Sequence, residues 1–256
     1  MKLESCNVKH VTFNITNMKR RLLLLVAALI SIGINAQKTY ALLTGVSNYG
    51  IQGVNLHNTT KDVKQLKKIL DKQGMIVTML TSNNVTIPNI EEKLNAIIQL
   101  AKPEDKILFF FSGHGNTGQI TVYGLESFYY QDLMKILSKA KTREVFCFID
   151  ACMSGSVSPT EYEWADAHKG VTFMMSSRAD EYSKENNWIG HGFYTQALLK
   201  GLRGKADKNA DRQITLMELF KYVYNDVTAR SKDYSQIQHP VLIGPSSSYD
   251  TVITIW

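Results

Sequence analysis

Two uninterrupted apolar runs of strand length constrain this chain more than any other feature: Lys106 to Phe111 (KILFFF) and Val145 to Ile149 (VFCFI). A strand with one wet face alternates apolar and polar residues. A run with no alternation needs cover on both faces, which is the situation of interior strands in a parallel sheet flanked by helices.

The segments around these runs alternate in kind. Tyr40 to Val46, Met75 to Leu80 and Val171 to Met175 read as further strands, with Val241 to Ile243 as a last one. Between them lie helical patterns. Asp62 to Leu70 carries Val63, Leu66, Ile69 and Leu70 on one face, and Gly74 stops it. Pro88 opens a second helix with Ile90, Leu94, Ile97 and Ile98 apolar. Leu133 to Leu137, Phe193 to Leu202 and Leu216 to Val227 are expected helices. Strands alternating with helices predict an α/β fold: a mainly parallel six-stranded sheet with helices on both faces. No repeat or long linker interrupts the pattern, so residues 37–256 read as one domain.

At 256 residues, 44% hydrophobic and 20% charged, the chain can bury a full core, and three cysteines are too few for a disulfide scaffold. The net charge of +6 is unevenly placed. Residues 1–36 carry Lys2, Lys9, Lys19, Arg20 and Arg21 against Glu4, or +4, which leaves +2 for the rest. No basic stripe with interleaved aromatics is present, so a nucleic-acid partner is not expected.

Lys19-Arg20-Arg21, the apolar run Leu22 to Ile30 and the ending Ile34-Asn35-Ala36 form the three parts of a signal peptide over residues 1–36, with Met18 as an alternative start. The run is too short to span a bilayer. The competing reading is a buried or anchoring helix. Cleavage after Ala36 would export the domain to the periplasm or the medium with no stable membrane span, and would leave Cys147 and Cys152 as its cysteines.

The two long apolar strands end in reactive residues. One runs into Ser112-Gly113-His114-Gly115 and the other into Asp150-Ala151-Cys152-Met153-Ser154-Gly155. Ligands in such sheets bind outside the carboxyl ends of the strands. If the strands are neighbours, His114 and Cys152 emerge at one edge, where an imidazole can activate a thiol. Nearby backbone N–H groups can hold an oxyanion. Cys147, flanked by Phe146 and Phe148, reads as core.

The strand–Ser-Gly-His-Gly and strand–Asp-Ala-Cys-x-Ser-Gly segments, in this order, resemble the caspase-like cysteine peptidases, closest to the metacaspase and bacterial caspase-homologue branch. Gly45-Val46-Ser47-Asn48-Tyr49, the Asp62 helix and Gly192-Phe193-Tyr194-Thr195 extend the likeness over most of residues 37–256. The resemblance implies His114 as general base, Cys152 as nucleophile, and the amides of Gly115 and Cys152 as oxyanion donors. It implies a peptide or protein substrate.

Substrate choice follows from charge. Asp150 lies two residues before Cys152, and the resemblance pairs it with Asp62 on the first helix as the lining of a pocket for Arg or Lys. Two carboxylates would attract a guanidinium and repel an acidic side chain. The plainer readings are a helix first-turn acid for Asp62 and a turn or cap for Asp150. The strand ending at Met175, with Ser176 beyond it, resembles the family's substrate-binding strand. Ser154 to Gly170 resembles the loop where relatives are cut, and Lys169-Gly170 offers a basic cleavage point for self-processing.

Asp207, Asn209, Asp211, Thr215 and Glu218 occupy positions 1, 3, 5, 9 and 12 of a calcium-loop pattern, with Arg212 where glycine is expected. The rival reading is a capping box formed by Thr215 and Glu218 ahead of the next helix. Ca2+ is therefore one of two readings there, and the thiol chemistry itself needs no cofactor. The alternative function is a noncatalytic caspase-fold binding or regulatory protein. The oligomeric state is not legible.

Overall fold

The computed structural model describes residues 37–156, 170–180, 185–186, 191–234 and 237–256. The leader reading of residues 1–36 and the segment 157–169, with Lys169, lie outside the described residues.

In chain order the elements are β1 (Thr39–Gly45), α1 (Thr59–Lys72), β2 (Ile76–Thr81), α2 (Ile87–Leu100) and β3 (Lys106–Ser112). Then come β4 (Gly115–Asn116), β5 (Gln119–Thr121), β6 (Ser127–Tyr129), α3 (Tyr130–Leu137), β7 (Glu144–Asp150) and β8 (Val171–Met175). The remainder holds β9 (Glu185–Asn186), β10 (His191–Gly192), α4 (Phe193–Lys200), β11 (Gln213–Thr215), α5 (Leu216–Ser231), β12 (Val241–Ile243) and β13 (Val252–Ile255).

The main sheet has six strands in the order β12-β8-β7-β3-β1-β2. All neighbours are parallel except β12, which pairs antiparallel with β8 at one edge. The expected six-stranded, mainly parallel sheet is therefore present. Val241–Ile243 is its edge, but not the last strand of the chain: β13 follows and pairs with β11 in a separate two-stranded sheet.

The apolar strands divide their side chains between two cores, as strand geometry requires. Ile107, Phe109, Phe111, Val145, Cys147 and Ile149 face one side and pack with Ile90 and Leu94 of α2 and Leu133 and Leu137 of α3. Leu108, Phe110, Phe146 and Phe148 face the other and pack with Val63 and Leu66 of α1, Leu198 of α4 and Leu219 and Val223 of α5. Every residue of β3 is buried. Each buried Phe contributes about 1.5–3 kcal/mol of transfer free energy, so these two strands anchor the layers.

Helix ends follow the local chemistry. Gly74, at φ 79°, turns the chain out of α1 in a conformation that disfavours a side chain. Thr86 caps α2 by accepting the Asn89 N–H at 3.4 Å, with Pro88 in the first turn, where its missing N–H costs nothing. The predicted helix Phe193 to Leu202 stops as α-helix at Lys200, and Gly201–Lys205 continues as one π-helical turn.

The sheet order places β1 between β2 on one side and β3 on the other, so the chain winds outward from β1 in both directions. The reversal lies between β1 and β3, where open α/β sheets form their clefts, and β7 lies on the far side of β3.

Candidate active site

The register of two strands builds the site. β3 and β7 pair in parallel with Ser112 opposite Asp150, and the Gly113 N–H donates to the Asp150 carbonyl at 3.1 Å. His114 and Cys152 each follow two residues beyond that matched pair, so they leave the sheet at the same edge. Both are half-buried. Neither Cys147 nor Cys152 forms a disulfide. Cys147 is fully buried, and desolvation pushes its thiol far up. The two sulfurs therefore have opposite surroundings: one walled into the core, one at the rim.

Gly115 brings the two segments together. A Cβ built on it would lie 2.8 Å from the Ala151 Cβ and 2.8 Å from the Cys152 carbonyl oxygen, so a larger residue would push the strand ends apart. The direction of its N–H follows from the β4–β5 ladder. Thr121 N–H donates to the His114 carbonyl at 2.9 Å, a ladder bond that flanks the next pair. Gly115 and Ile120 are the next pair. Alternation turns the Gly115 N–H away from β5.

The imidazole is held at its outer edge. Nε2 of His114 lies 2.7 Å from the Val54 carbonyl oxygen. A carbonyl can only accept, so Nε2 carries the proton and Nδ1 presents the lone pair. Val54 lies in the loop between β1 and α1. No side-chain chemistry marks Val54, so sequence reasoning misses it.

The turn after β7 is braced from below. Ser176 is fully buried. Its hydroxyl accepts the Ala151 N–H at 3.1 Å and donates to the Ala151 carbonyl at 3.0 Å. Ser154 Oγ lies 3.3 Å from the same hydroxyl and accepts the Ser177 N–H at 3.3 Å. Gln238 Nε2 donates to the Ser176 carbonyl at 2.7 Å. Ser176, expected beside the substrate-binding strand, has its hydroxyl turned inward, where it holds the turn that carries Cys152. Ser154, the serine of the Asp-Ala-Cys-x-Ser-Gly segment, and Gln238 belong to this brace, and nothing in the sequence context of Gln238 singles it out. Met153, next to Cys152, takes a left-handed conformation at φ 51°, a strained one for a side-chain-bearing residue.

Asp62 and Asp150 are brought to one stretch of the sheet. Asp62 sits in the first turn of α1, buried, and accepts the Ser112 hydroxyl at 3.4 Å. Asp150, the last residue of β7, is the register neighbour of that same Ser112. One oxygen of Asp150 accepts both the Thr195 N–H at 3.2 Å and the Thr195 hydroxyl at 2.6 Å. The two acids thus flank Ser112, one from the helix layer and one from the sheet. Thr195 lies in the first turn of α4, so Asp150 also ties that helix to the end of β7.

The loop from Asp207 to Glu218 lies elsewhere. Asp207 accepts the N–H groups of Ala210 and Arg212 at 2.8 and 3.0 Å and the Trp256 indole N–H at 3.0 Å. Asn209 accepts from Asp211 N–H, and Asp211 from Gln213 N–H. Arg212 makes the sharp turn at φ 64° without glycine. Thr215 and Glu218 form a complete capping box. Among the described residues no group of three or more His, Cys, Asp or Glu gathers as a metal site. The capping box is therefore formed, and the side chains of Asp207, Asn209 and Asp211 accept from the loop's own N–H groups.

A family profile described as Caspase domain matches residues 38–245. No curated protein matches the chain. Among solved structures it is similar to caspase-1 from Spodoptera frugiperda, at 17% identity and a TM-score of 0.63, covering 81% of this chain and 86% of that one. It is also similar to a protein from Geobacter sulfurreducens, at 15% identity and a TM-score of 0.64, covering 85% of this chain and 99% of that one. At these identities the structural likeness speaks to the fold.

Proposed function

Since the chain belongs to the caspase-domain family, we propose that it is a cysteine endopeptidase that cleaves peptide or protein substrates after Arg or Lys. The carrying observation is the in-register pairing of β3 and β7, which sets His114 and Cys152 at one rim with Gly115 packed on the Cys152 backbone.

In this reading Nδ1 of His114 takes the thiol proton, and the Cys152 thiolate adds to the scissile carbonyl carbon. The Gly115 and Cys152 N–H groups hold the resulting oxyanion. Collapse breaks the C–N bond; the imidazolium gives its proton to the leaving amine, and an acyl thioester remains. Water then adds with the same imidazole as base, releasing the acid and restoring the thiol. The Val54 carbonyl holds the Nε2 proton throughout, so the proton exchanged is the one on Nδ1.

Asp62 and Asp150 supply the charge selectivity. A guanidinium or ammonium entering beside Ser112 would meet two carboxylates, and an acidic side chain would be repelled. β8 itself is paired on both sides, by β7 and β12, so the substrate backbone would pair beyond its end, past Ser176, a role that needs no side chain from Ser176. Self-cleavage at Lys169-Gly170 is part of the proposal on sequence grounds. Gly170 is packed against the Arg143 carbonyl, so that cut requires the start of β8 to loosen. Export after removal of residues 1–36 completes it. Among the described residues no helix is long and apolar enough to cross a membrane.

Reaction with a peptidyl-Arg chloromethyl ketone tests the reading. The expected result is one covalent adduct, mapped to Cys152 and absent after His114→Ala. A folded protein that stays unlabelled would favour the noncatalytic alternative.

A further inference from the structure

Tyr49 lies four residues beyond the end of β1 and is completely buried. Its hydroxyl oxygen accepts the His114 backbone N–H at 2.6 Å. Its ring lies against the imidazole, with centroids 4.8 Å apart and planes tilted by 32°. The hydroxyl is tightly seated: a Cβ on Gly113 would come within 2.7 Å of it. The tyrosine is itself fixed within the β1–α1 loop. Its N–H donates to Asn55 Oδ1 at 2.9 Å, and Leu56 N–H donates to the Ser47 carbonyl at 2.9 Å. Its carbonyl accepts the Gly124 N–H at 3.2 Å.

The same loop provides the Val54 carbonyl on Nε2. One short segment therefore holds the histidine at its main chain, on one ring face and at one ring nitrogen. The remaining nitrogen, Nδ1, is the one the chemistry uses.

We propose that Tyr49 is the positioning residue of His114. It acts by fixing where the imidazole sits and which face it shows to the Cys152 side. The aromatic face also suits the imidazolium that forms once the thiol proton has moved, since a cation over a ring is attracted by its quadrupole. The inference rests on the peptidase reading for its role, but its geometry stands apart from it.

A packing role alone would need the ring and not the hydroxyl, so Tyr49→Phe separates the two. In the full-length protein, Tyr49→Phe is expected to lower kcat about 10-fold with KM within about twofold, because misplaced catalytic groups lose rate rather than binding. Alkylation of Cys152 by iodoacetamide is expected to slow in parallel, since it needs the activated thiol but no peptide. Tyr49→Leu, which removes the ring as well, should slow both further. Asn55→Ala, which releases the loop while sparing Tyr49, should move both in the same direction and decides the matter if Tyr49→Phe fails to fold. Wild-type alkylation and kcat in folded Tyr49→Phe would overturn the proposal, as would losses that only track the unfolded fraction. If wild type alkylates faster than His114→Ala yet cleaves no peptide, the peptidase reading fails while the positioning role is judged on alkylation alone.

Discussion

Nε2 of His114 points at the carbonyl oxygen of Val54 across 2.7 Å, joining the end of β3 to the loop that follows β1. A ring nitrogen pinned in this way has no choice of tautomer, and its opposite nitrogen is committed to accepting a proton. Replacement of His114 by Ala should therefore lower kcat by about 10³-fold, within the usual range for a lost general base. Circular dichroism should remain native, because the side chain is half-buried at a strand end and outside both cores. A His114→Ala variant with wild-type turnover would show that another group deprotonates the thiol.

Asp150 and Asp62 should separate in their effects. Asp62→Asn removes a charge next to Ser112, so kcat/KM for an Arg substrate should fall about 10-fold or more while the fold holds. Asp150→Ala should also destabilise the protein by about 1–3 kcal/mol, since it strands the buried hydroxyl and N–H of Thr195. Urea unfolding and fluorogenic Arg, Lys and Asp peptides measure both. An unchanged preference after both substitutions would remove the acids from the pocket.

Ser176→Ala tests the brace. The change leaves the Ala151 N–H and carbonyl without the hydroxyl that serves both. A stability loss of about 1–3 kcal/mol is expected, with slower Cys152 alkylation, because the turn carrying the nucleophile loses its support. A peptide-binding role for the side chain would instead raise KM and leave unfolding untouched.

Alkaline stability should report Cys147. Burial raises its thiol from an ordinary value of 9.0, and burial, then the charge of Asp150, raises the Tyr194 phenol from 10.0. Above pH 9 the unfolded chain sheds the thiol proton while the folded one keeps it. The unfolded state then binds fewer protons, so stability falls as pH rises, by up to about 1.4 kcal/mol per pH unit for one group. Below pH 9 both states hold the proton and the effect is absent. Unfolding free energies between pH 8 and 10 should show this slope in wild type and a flatter one in Cys147→Ala. Equal slopes would mean the thiol is not shielded.

At the start of α5, Glu218→Ala should cost about 1 kcal/mol through loss of the capping box. Calcium should leave the melting temperature of wild type unchanged. A calcium-dependent rise that Glu218→Ala abolishes would make this carboxylate a ligand instead of a cap.

The sheet and the two motif-bearing strand ends were legible because their signals are local. Continuous apolar runs demand two-sided burial, and parallel neighbours must release their carboxyl ends together. Gly115 was placed beside Cys152 by resemblance, and its close approach gives the reason. The supporting cast was hidden for physical reasons. Val54 acts through a main-chain oxygen that every residue has. Ser176 and Ser154 are small polar residues, and only burial reveals that they face inward. The strands β4 to β6 and β9 to β11 are two or three residues long, too short for periodicity to register. The calcium pattern and the capping box share Thr215 and Glu218, so the sequence alone does not separate them.

Hydrolysis of matched fluorogenic peptides ending in Arg, Lys or Asp, by wild type and by Cys152→Ala, tests the central claim most directly. The account predicts turnover of the Arg or Lys peptides by wild type, little of the Asp peptide, and none by the variant. Cleavage of the Asp peptide alone, or equal cleavage by Cys152→Ala, would contradict it.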